Sequence, residues 1–190
     1  MKIKNLLSFV VALSTGLLLC LGAAAQQDFA IVKVKSQRVA GNVYMLEGSG
    51  GNIGVFVGVD GVFIVDDQFA PLTEKIVAEI RKLSDGKIRF LINTHMHPDH
   101  VGGNENLGEM GALIVAHDTV RSRMAEGIYS FISKKRGDPA PAIALPTVTY
   151  SQDVSFYLNG EQVHVFHVSP AHTDGDSFVH FKGSNVLHLG

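Results

Sequence analysis

Three histidines and an aspartate stand within six positions, His95-Met96-His97-Pro98-Asp99-His100, directly after the apolar run Phe90-Leu91-Ile92. Imidazole nitrogens and carboxylate oxygens are zinc ligands. In an extended chain residues two apart point the same way, so His95, His97 and Asp99 converge on one side of a loop leaving a strand. Pro98 disfavours helix at His97 and cannot donate to a ladder, so the chain turns there and His100 can swing back toward the same centre. Gly102 and Gly103 permit the close backbone approach that a crowded site needs. A lone histidine is usually a solvated or capping residue; four candidate ligands in six residues point instead to a metal centre.

Positioning such a cluster falls to the elements around it. The strand Ile88 to Asn93 delivers it at its C-terminal end, where α/β architectures usually place their chemistry. Upstream, Ile31 to Lys35 alternates apolar and charged residues and Val43 to Leu46 follows, giving two short half-exposed strands. Glu47 to Asn52 is a connection. The near-continuously apolar runs Ile53 to Val59 and Val62 to Val65, split by Asp60-Gly61, predict a hairpin in a sheet covered on both faces. Pro71 opens a helix with Leu72, Ile76, Val77, Ile80 and Leu83 on one face, and Ser84-Asp85-Gly86 stops it.

Beyond the histidines, a short linking segment leads to a buried strand, Ala112 to Ala116. A helix is expected from about Asp118 to Lys135, with Val120, Met124, Ile128, Phe131 and Ile132 as its core stripe. Gly137 to Pro146 holds three prolines and reads as a surface loop placed to border the site. From Thr147 the signals turn to β: Val154 to Leu158, Gln162 to Val168, Phe178 to Phe181 and Val186 to Leu189. The helices are too few to wind a parallel sheet on both faces, so a mixed sheet with helices on its outer face is expected.

The chain has 190 residues, 46% hydrophobic and 18% charged, which suits one globular domain with a sizeable core. Residues 1–25 read as a secretory leader: Lys2 and Lys4 precede an apolar run from Leu6 to Leu21, and Ala23-Ala24-Ala25 supplies a small-residue cleavage pattern. An uncleaved anchor is the alternative, although Ser8, Ser14, Thr15 and Gly16 dilute the run. Leu19 before Cys20 argues against a lipoprotein signal. Cleavage after Ala25 leaves residues 26–190 as the exported domain, without cysteine, disulfides or a stable membrane anchor. Without Lys2 and Lys4 the basic residues number 14 against 18 acidic, and no basic stripe appears, which argues against nucleic acid as the main partner.

A second loop, Ser169-Pro170-Ala171-His172-Thr173-Asp174-Gly175-Asp176, follows a predicted strand. The pattern His-x-His-x-Asp-His followed by Gly-Gly, with the later His-Thr-x-Gly-Asp, resembles the signature of the metallo-β-lactamase superfamily. The resemblance implies an αβ/βα sandwich of mixed β-sheets with outer helices and metals at one edge. It implies His95, His97 and His172 as ligands of a first metal, and Asp99 and His100 as ligands of a second. Zinc is the implied cofactor, up to two ions in a complete form. Asp66 matches the family's early aspartate at the end of a buried strand, which steadies the metal loops without binding metal. Asp176 resembles a loop-bracing carboxylate, and Asp174 a surface residue. His164, His180 and His188 are expected to be structural, His117 to open a helix, and His167 to touch the metal loop without ligating. In the family a strand such as Val186 to Gly190 runs into an aspartate or cysteine that completes the second site. The chain stops at Gly190, so the expectation is a domain incomplete at its C-terminus, with a natural short form as the alternative.

A zinc with three imidazoles and an open position lowers the pKa of bound water from about 15.7 to roughly 7. The resemblance therefore implies a zinc-dependent exported hydrolase in which metal-bound hydroxide attacks an ester, amide, lactam or lactone carbonyl of a small-molecule substrate. Asp99 is its expected catalytic carboxylate, orienting the hydroxide or passing its proton on. An export signal favours a β-lactamase-like periplasmic or secreted enzyme over the family's tRNA-processing and thioester-cleaving branches, and His97 argues against the diiron flavoprotein branch. Two rivals stay open: an iron-dependent sulfur dioxygenase with the same ligands, and a catalytically incomplete metal-binding fragment. Oligomeric state has no signature here.

Overall fold

The first strand begins later than the alternation of Ile31 to Lys35 predicts. In a computed structural model, which describes residues 28–130, 133–168 and 171–190, residues 31–34 are irregular and β1 spans Lys35–Ala40. Lys75 explains the difference. Its ammonium donates to the carbonyls of Phe29, Ala30 and Val32 at 2.8, 2.7 and 2.8 Å, which ties this segment to a helix and not to a sheet. The expected leader and its cleavage point lie outside the described residues, as do Phe131, Ile132, Ser169 and Pro170.

After β1 come β2 (Val43–Glu47), β3 (Ile53–Gly58) and β4 (Gly61–Val65), each antiparallel to the one before. A single 3-10 turn over Ala70–Leu72 leads into α1 (Thr73–Arg81), which buries Ile76 and Ile80. Strand β5 (Ile88–Asn93) then lies parallel to β4. The segment after it is helical where a plain link is expected: α2 (Pro98–Val101) and α3 (Asn104–Glu109). Proline suits the first turn of a helix, where its missing N–H costs nothing, and His97 before it stays extended, φ −68° and ψ 148°. Strand β6 (Leu113–His117) continues the parallel set.

Helix α4 covers only Asp118–Glu126, not the longer span to Lys135. Gly127 ends it with φ 85°, and a Cβ there would stand 2.0 Å from the Gly137 carbonyl. The chain instead folds back as a small hairpin of β7 (Tyr129–Ser130) and β8 (Lys135–Arg136). The apolar stripe continued past a glycine whose conformation no helix allows. A seventh strand, β9 (Val148–Tyr150), joins β6 in parallel and completes a mixed sheet ordered β1-β2-β3-β4-β5-β6-β9. The last four strands, β10 (Asp153–Leu158), β11 (Glu161–His167), β12 (Ser177–Phe181) and β13 (Val186–His188), form a second sheet that is antiparallel throughout.

The two sheets pack face to face. Phe56, Phe63, Val65, Ile92 and Val115 of the first meet Leu158, Val163, Val165, Val179 and Phe181 of the second. Phe181 contacts Phe56 and Phe63 edge-on, with ring centroids 5.5 and 6.0 Å apart. The opposite face of the large sheet, through Val55, Ile64, Leu91 and Ile114, packs on Leu72, Ile76, Ile80 and Leu107 of the helical layer. Each fully buried side chain of this size contributes about 1.5–3 kcal/mol, so β3 and β4, buried on both faces, hold the sheet rigid beneath the site. Parallel pairing of β4, β5 and β6 brings Asp66, Asn93 and His117 out along one edge. Among the described residues no helix is long and apolar enough to cross a membrane.

Candidate metal centre

That edge carries the histidines. His95 and His97 follow β5 directly, and the loop between β11 and β12 docks against them through Ser177, whose N–H donates to the Thr94 carbonyl at 2.9 Å. One ligand-capable atom from each of His95, His97 and His172 lies within 4.8 Å of the other two. His97 Nδ1 and His172 Nε2 are 2.9 Å apart. The cluster runs from buried His95 through half-buried His97 to exposed His172, so it opens to solvent on one side.

Burial, reinforced by the neighbouring His100, holds the His95 imidazole down to about 4, and burial together with His172 lowers His97. Both therefore stay neutral at pH 7, the form that donates a lone pair to a metal. The tautomer of His95 follows from its partners. Thr94 Oγ1 donates to Asp66 Oδ2 at 2.7 Å, which leaves the hydroxyl oxygen to accept from His95 Nδ1 at 3.0 Å and frees Nε2 as the acceptor. Three imidazoles with converging lone pairs are a donor set that fits zinc, and the open side fits a site that receives a substrate.

Asp66 is the hub beneath them. It is 1% exposed and sits at φ 63°, a left-handed conformation that aspartate tolerates better than most residues. Its Oδ1 accepts from the Thr94 N–H at 2.7 Å, and Oδ2 accepts from His100 Nδ1 at 2.7 Å as well as from the Thr94 hydroxyl. Burial pulls the His100 imidazole down, but its hydrogen bond to Asp66 and the charges of Asp66, Asp99 and Asp176 outweigh this and raise it. His100 Nε2 lies 3.4 Å from Asp99 Oδ2, so these two form a pair beside the three histidines. Asp99 does not join His95 and His97 as strand alternation predicts. Helix α2 begins at Pro98, and the period of two ends there.

The second loop is held by Asp176, whose carboxylate accepts from the N–H groups of His172 (2.6 Å) and Thr173 (3.0 Å) and from the Thr173 hydroxyl. His167 Nδ1 donates to the Asp176 carbonyl at 2.8 Å, and its ring stacks on His117 at 3.9 Å and 16°. His117 in turn caps α4 through Thr119. His167 thus fixes the base of the loop that carries His172. His167→Leu is expected to weaken zinc binding about 10–100-fold with little loss of stability, measured by competition with a chromogenic chelator. Asp174 lies on the surface and pairs with Arg123 at 2.7 Å.

Other site-shaping residues escape a reading based on ligand types. Gln68, at φ 57°, ties down the loop between β2 and β3 by accepting from the Ser49 N–H and donating to the Gly51 carbonyl. Gly51 lies so close to His100 that a Cβ there would come within 2.3 Å of the ring. Asn93 and Asn104 exchange reciprocal side-chain bonds of 2.9 Å, and Asn104 reaches the Ala144 carbonyl, joining the end of β5 to the proline loop. The signal for this pair was an asparagine closing an otherwise apolar strand.

Comparison with known proteins agrees with this architecture. A class B3 di-zinc metallo-beta-lactamase from an Alaskan soil metagenome superposes with a TM-score of 0.69 at 21% identity, over 84% of this chain and 61% of its own. A subclass B3 enzyme of Bradyrhizobium japonicum gives 0.66 at 21%, over 78% and 57%. At these identities the likeness shows the fold. A linear primary-alkylsulfatase of Pseudomonas sp. (strain ATCC 19151) is 24% identical over 162 residues, covering 67% of this chain and 30% of the sulfatase, so the chain spans under a third of that relative. Residues 38–190 match the family described as the metallo-beta-lactamase superfamily, and the chain belongs to it.

Proposed function

We propose that this chain carries the zinc centre of an exported hydrolase that cleaves an ester, amide, lactam or lactone of a small molecule. The observation that carries the proposal is the convergence of His95, His97 and His172, two of them kept neutral by burial and neighbouring imidazoles. In this reading the three histidines hold the first ion, and His100 and Asp99 face a second. Zinc, when bound, supplies Lewis acidity and draws the pKa of water toward roughly 7.

The chain's own residues set the remaining chemistry. Asp99 is half-exposed and its Oδ2 lies 3.4 Å from His100 Nε2, which leaves the carboxylate open to solvent, where it orients a water and takes its proton. Thr94 and Asp66 keep His95 in one tautomer through the reaction. The sulfatase relative acts, by its name, on alkyl sulfates, and this keeps sulfate esters among the candidates. Export rests on the leader of residues 1–25.

Metal exchange tests the reading. Chelation is expected to abolish hydrolysis of a chromogenic ester or lactam, and zinc to restore it, with bound metal counted by atomic emission. Recovery with iron alone, accompanied by oxygen uptake on a persulfide, would overturn hydrolysis in favour of sulfur oxidation.

A further inference from the structure

The glycine-rich loop between β2 and β3 lies against the two side chains that the three-histidine cluster leaves aside. At Gly50, where φ is 88°, a Cβ would fall 2.6 Å from Asp99 Cβ and 3.2 Å from its Oδ2. At Gly51 a Cβ would fall 2.3 Å from His100 Cε1 and 2.7 Å from Nε2. Glycine is what lets the backbone come so near. The loop therefore closes one flank of the Asp99–His100 pair and helps to keep His100 at 6% exposure.

Gln68 holds the loop in that place. Its Oε1 accepts from the Ser49 N–H at 3.0 Å, and its Nε2 donates to the Gly51 carbonyl at 2.6 Å. The residue is 1% exposed and sits at φ 57°, a conformation that is costly for a non-glycine residue and persists only where the surroundings enforce it. Those surroundings are α2 and its C-terminal glycines. A Cβ at Gly102 would stand 2.6 Å from the Gln68 carbonyl oxygen, so the two backbones are in close contact. The adjoining Asp67 donates its N–H to the His100 carbonyl at 3.2 Å and accepts from the Gly103 N–H at 2.9 Å. One short turn thus grips the backbone of α2 directly and, through the Gln68 side chain, the loop that presses on Asp99 and His100. The chemistry of the latch is specific to an amide. Glutamate has no N–H for the Gly51 carbonyl, and methionine has neither the donor nor a strong acceptor.

We propose that Gln68 is a positioning residue, which by latching residues 48–51 holds the Asp99 carboxylate in one rotamer and the His100 ring in one orientation. Its part in turnover rests on the hydrolase reading, in which Asp99 must aim at a water. The rotamer and the ring themselves are measurable without turnover.

Gln68→Met in the full chain keeps the reach of the side chain and removes both bonds. Three-bond couplings to Asp99 Cγ are expected to report one χ1 rotamer in the parent and averaging in the variant. The Ser49 amide should exchange with deuterium about tenfold faster, and the affinity for the first zinc should stay within about threefold. In the zinc-loaded protein kcat for a 4-nitrophenyl ester should fall about tenfold or more with KM little changed. In an Asp99→Asn background the same substitution should alter kcat by less than about twofold, because no carboxylate is left to aim. Gly51→Ala gives a second approach, since φ at this position is not left-handed and the latch is kept while the new methyl group meets the imidazole. It should shift the His100 ring resonances. A single Asp99 rotamer in Gln68→Met, or the full loss of kcat persisting without Asp99, would overturn the inference. Should Gln68→Met fail to fold, unmoved His100 resonances in Gly51→Ala would overturn it as well. No ester turnover in the parent would reject the hydrolase reading, and the rotamer and exchange measurements would then decide the latch alone.

Discussion

His172→Ala is expected to weaken zinc binding at least 10³-fold while leaving the zinc-free fold intact. The two halves of this expectation come from different parts of the loop. The His172 side chain is exposed and contributes nothing to the packed core, whereas its backbone is held by Asp176 whatever side chain it bears. Losing a partner that merely orients a ligand costs about 10–100-fold in metal affinity, and losing one of three ligands must cost more. Because a ligand that binds only the native state stabilises it in proportion to the logarithm of its affinity, a 10³-fold loss removes about 4 kcal/mol of zinc-dependent stability. For a chain of this size that is roughly 10 °C of the zinc-induced rise in Tm. Melting in chelator should stay within about 2 °C of the parent. Parent-like zinc uptake and an undiminished zinc shift in His172→Ala would show that this imidazole is not a ligand, whatever becomes of activity.

The same loop shows what could be read from residues and what required coordinates. Clustered ligand types announced His95 and His97, and the near-continuous apolar runs announced β3 and β4, because a strand buried on both faces leaves little choice of composition. His172 was reached through a resemblance, since nothing local distinguishes it from the other loop histidine positions; the pairing of β11 with β12 is what carries it 75 residues back to His97. The reading failed where periodicity was extrapolated across a backbone breaker. Strand alternation was carried through Pro98 to Asp99, and helical spacing was carried through Gly127 toward Lys135, although each residue resets the chain's direction. Thr94, Gln68 and the Asn93–Asn104 pair stayed hidden for another reason. Their roles are hydrogen bonds between segments distant in sequence, and a polar residue's type does not say which segment it will meet.

Asp66 separates stability from ligand chemistry, and two substitutions should pull them apart. Asp66→Ala removes the acceptor for the Thr94 N–H, the Thr94 hydroxyl and His100 Nδ1 in a site that is 1% exposed. Each buried donor left without a partner costs about 1–3 kcal/mol, and alanine at φ 63° adds about 1–2 kcal/mol that aspartate largely avoids. Three such donors and the backbone together cost roughly 4–11 kcal/mol, which corresponds to a Tm lower by at least about 10 °C, with or without zinc. Asp66→Asn keeps the shape, the tolerance for the left-handed backbone and an oxygen for the Thr94 N–H, so its loss in Tm should be much smaller. What asparagine changes is the direction of the bond to His100. An amide nitrogen facing Nδ1 must donate, which forces the imidazole proton onto Nε2, the nitrogen that faces Asp99 across 3.4 Å. An imidazole protonated there has no lone pair to offer a metal on that side. The same amide nitrogen no longer accepts from the Thr94 hydroxyl, so the hold on the His95 tautomer is lost as well. Asp66→Asn is therefore expected to weaken both zinc sites, about 10–100-fold, and the ¹⁵N imidazole spectrum of His100 should move from the Nδ1–H to the Nε2–H pattern. An unchanged spectrum would mean that Asp66 braces the fold without setting the histidine's tautomer.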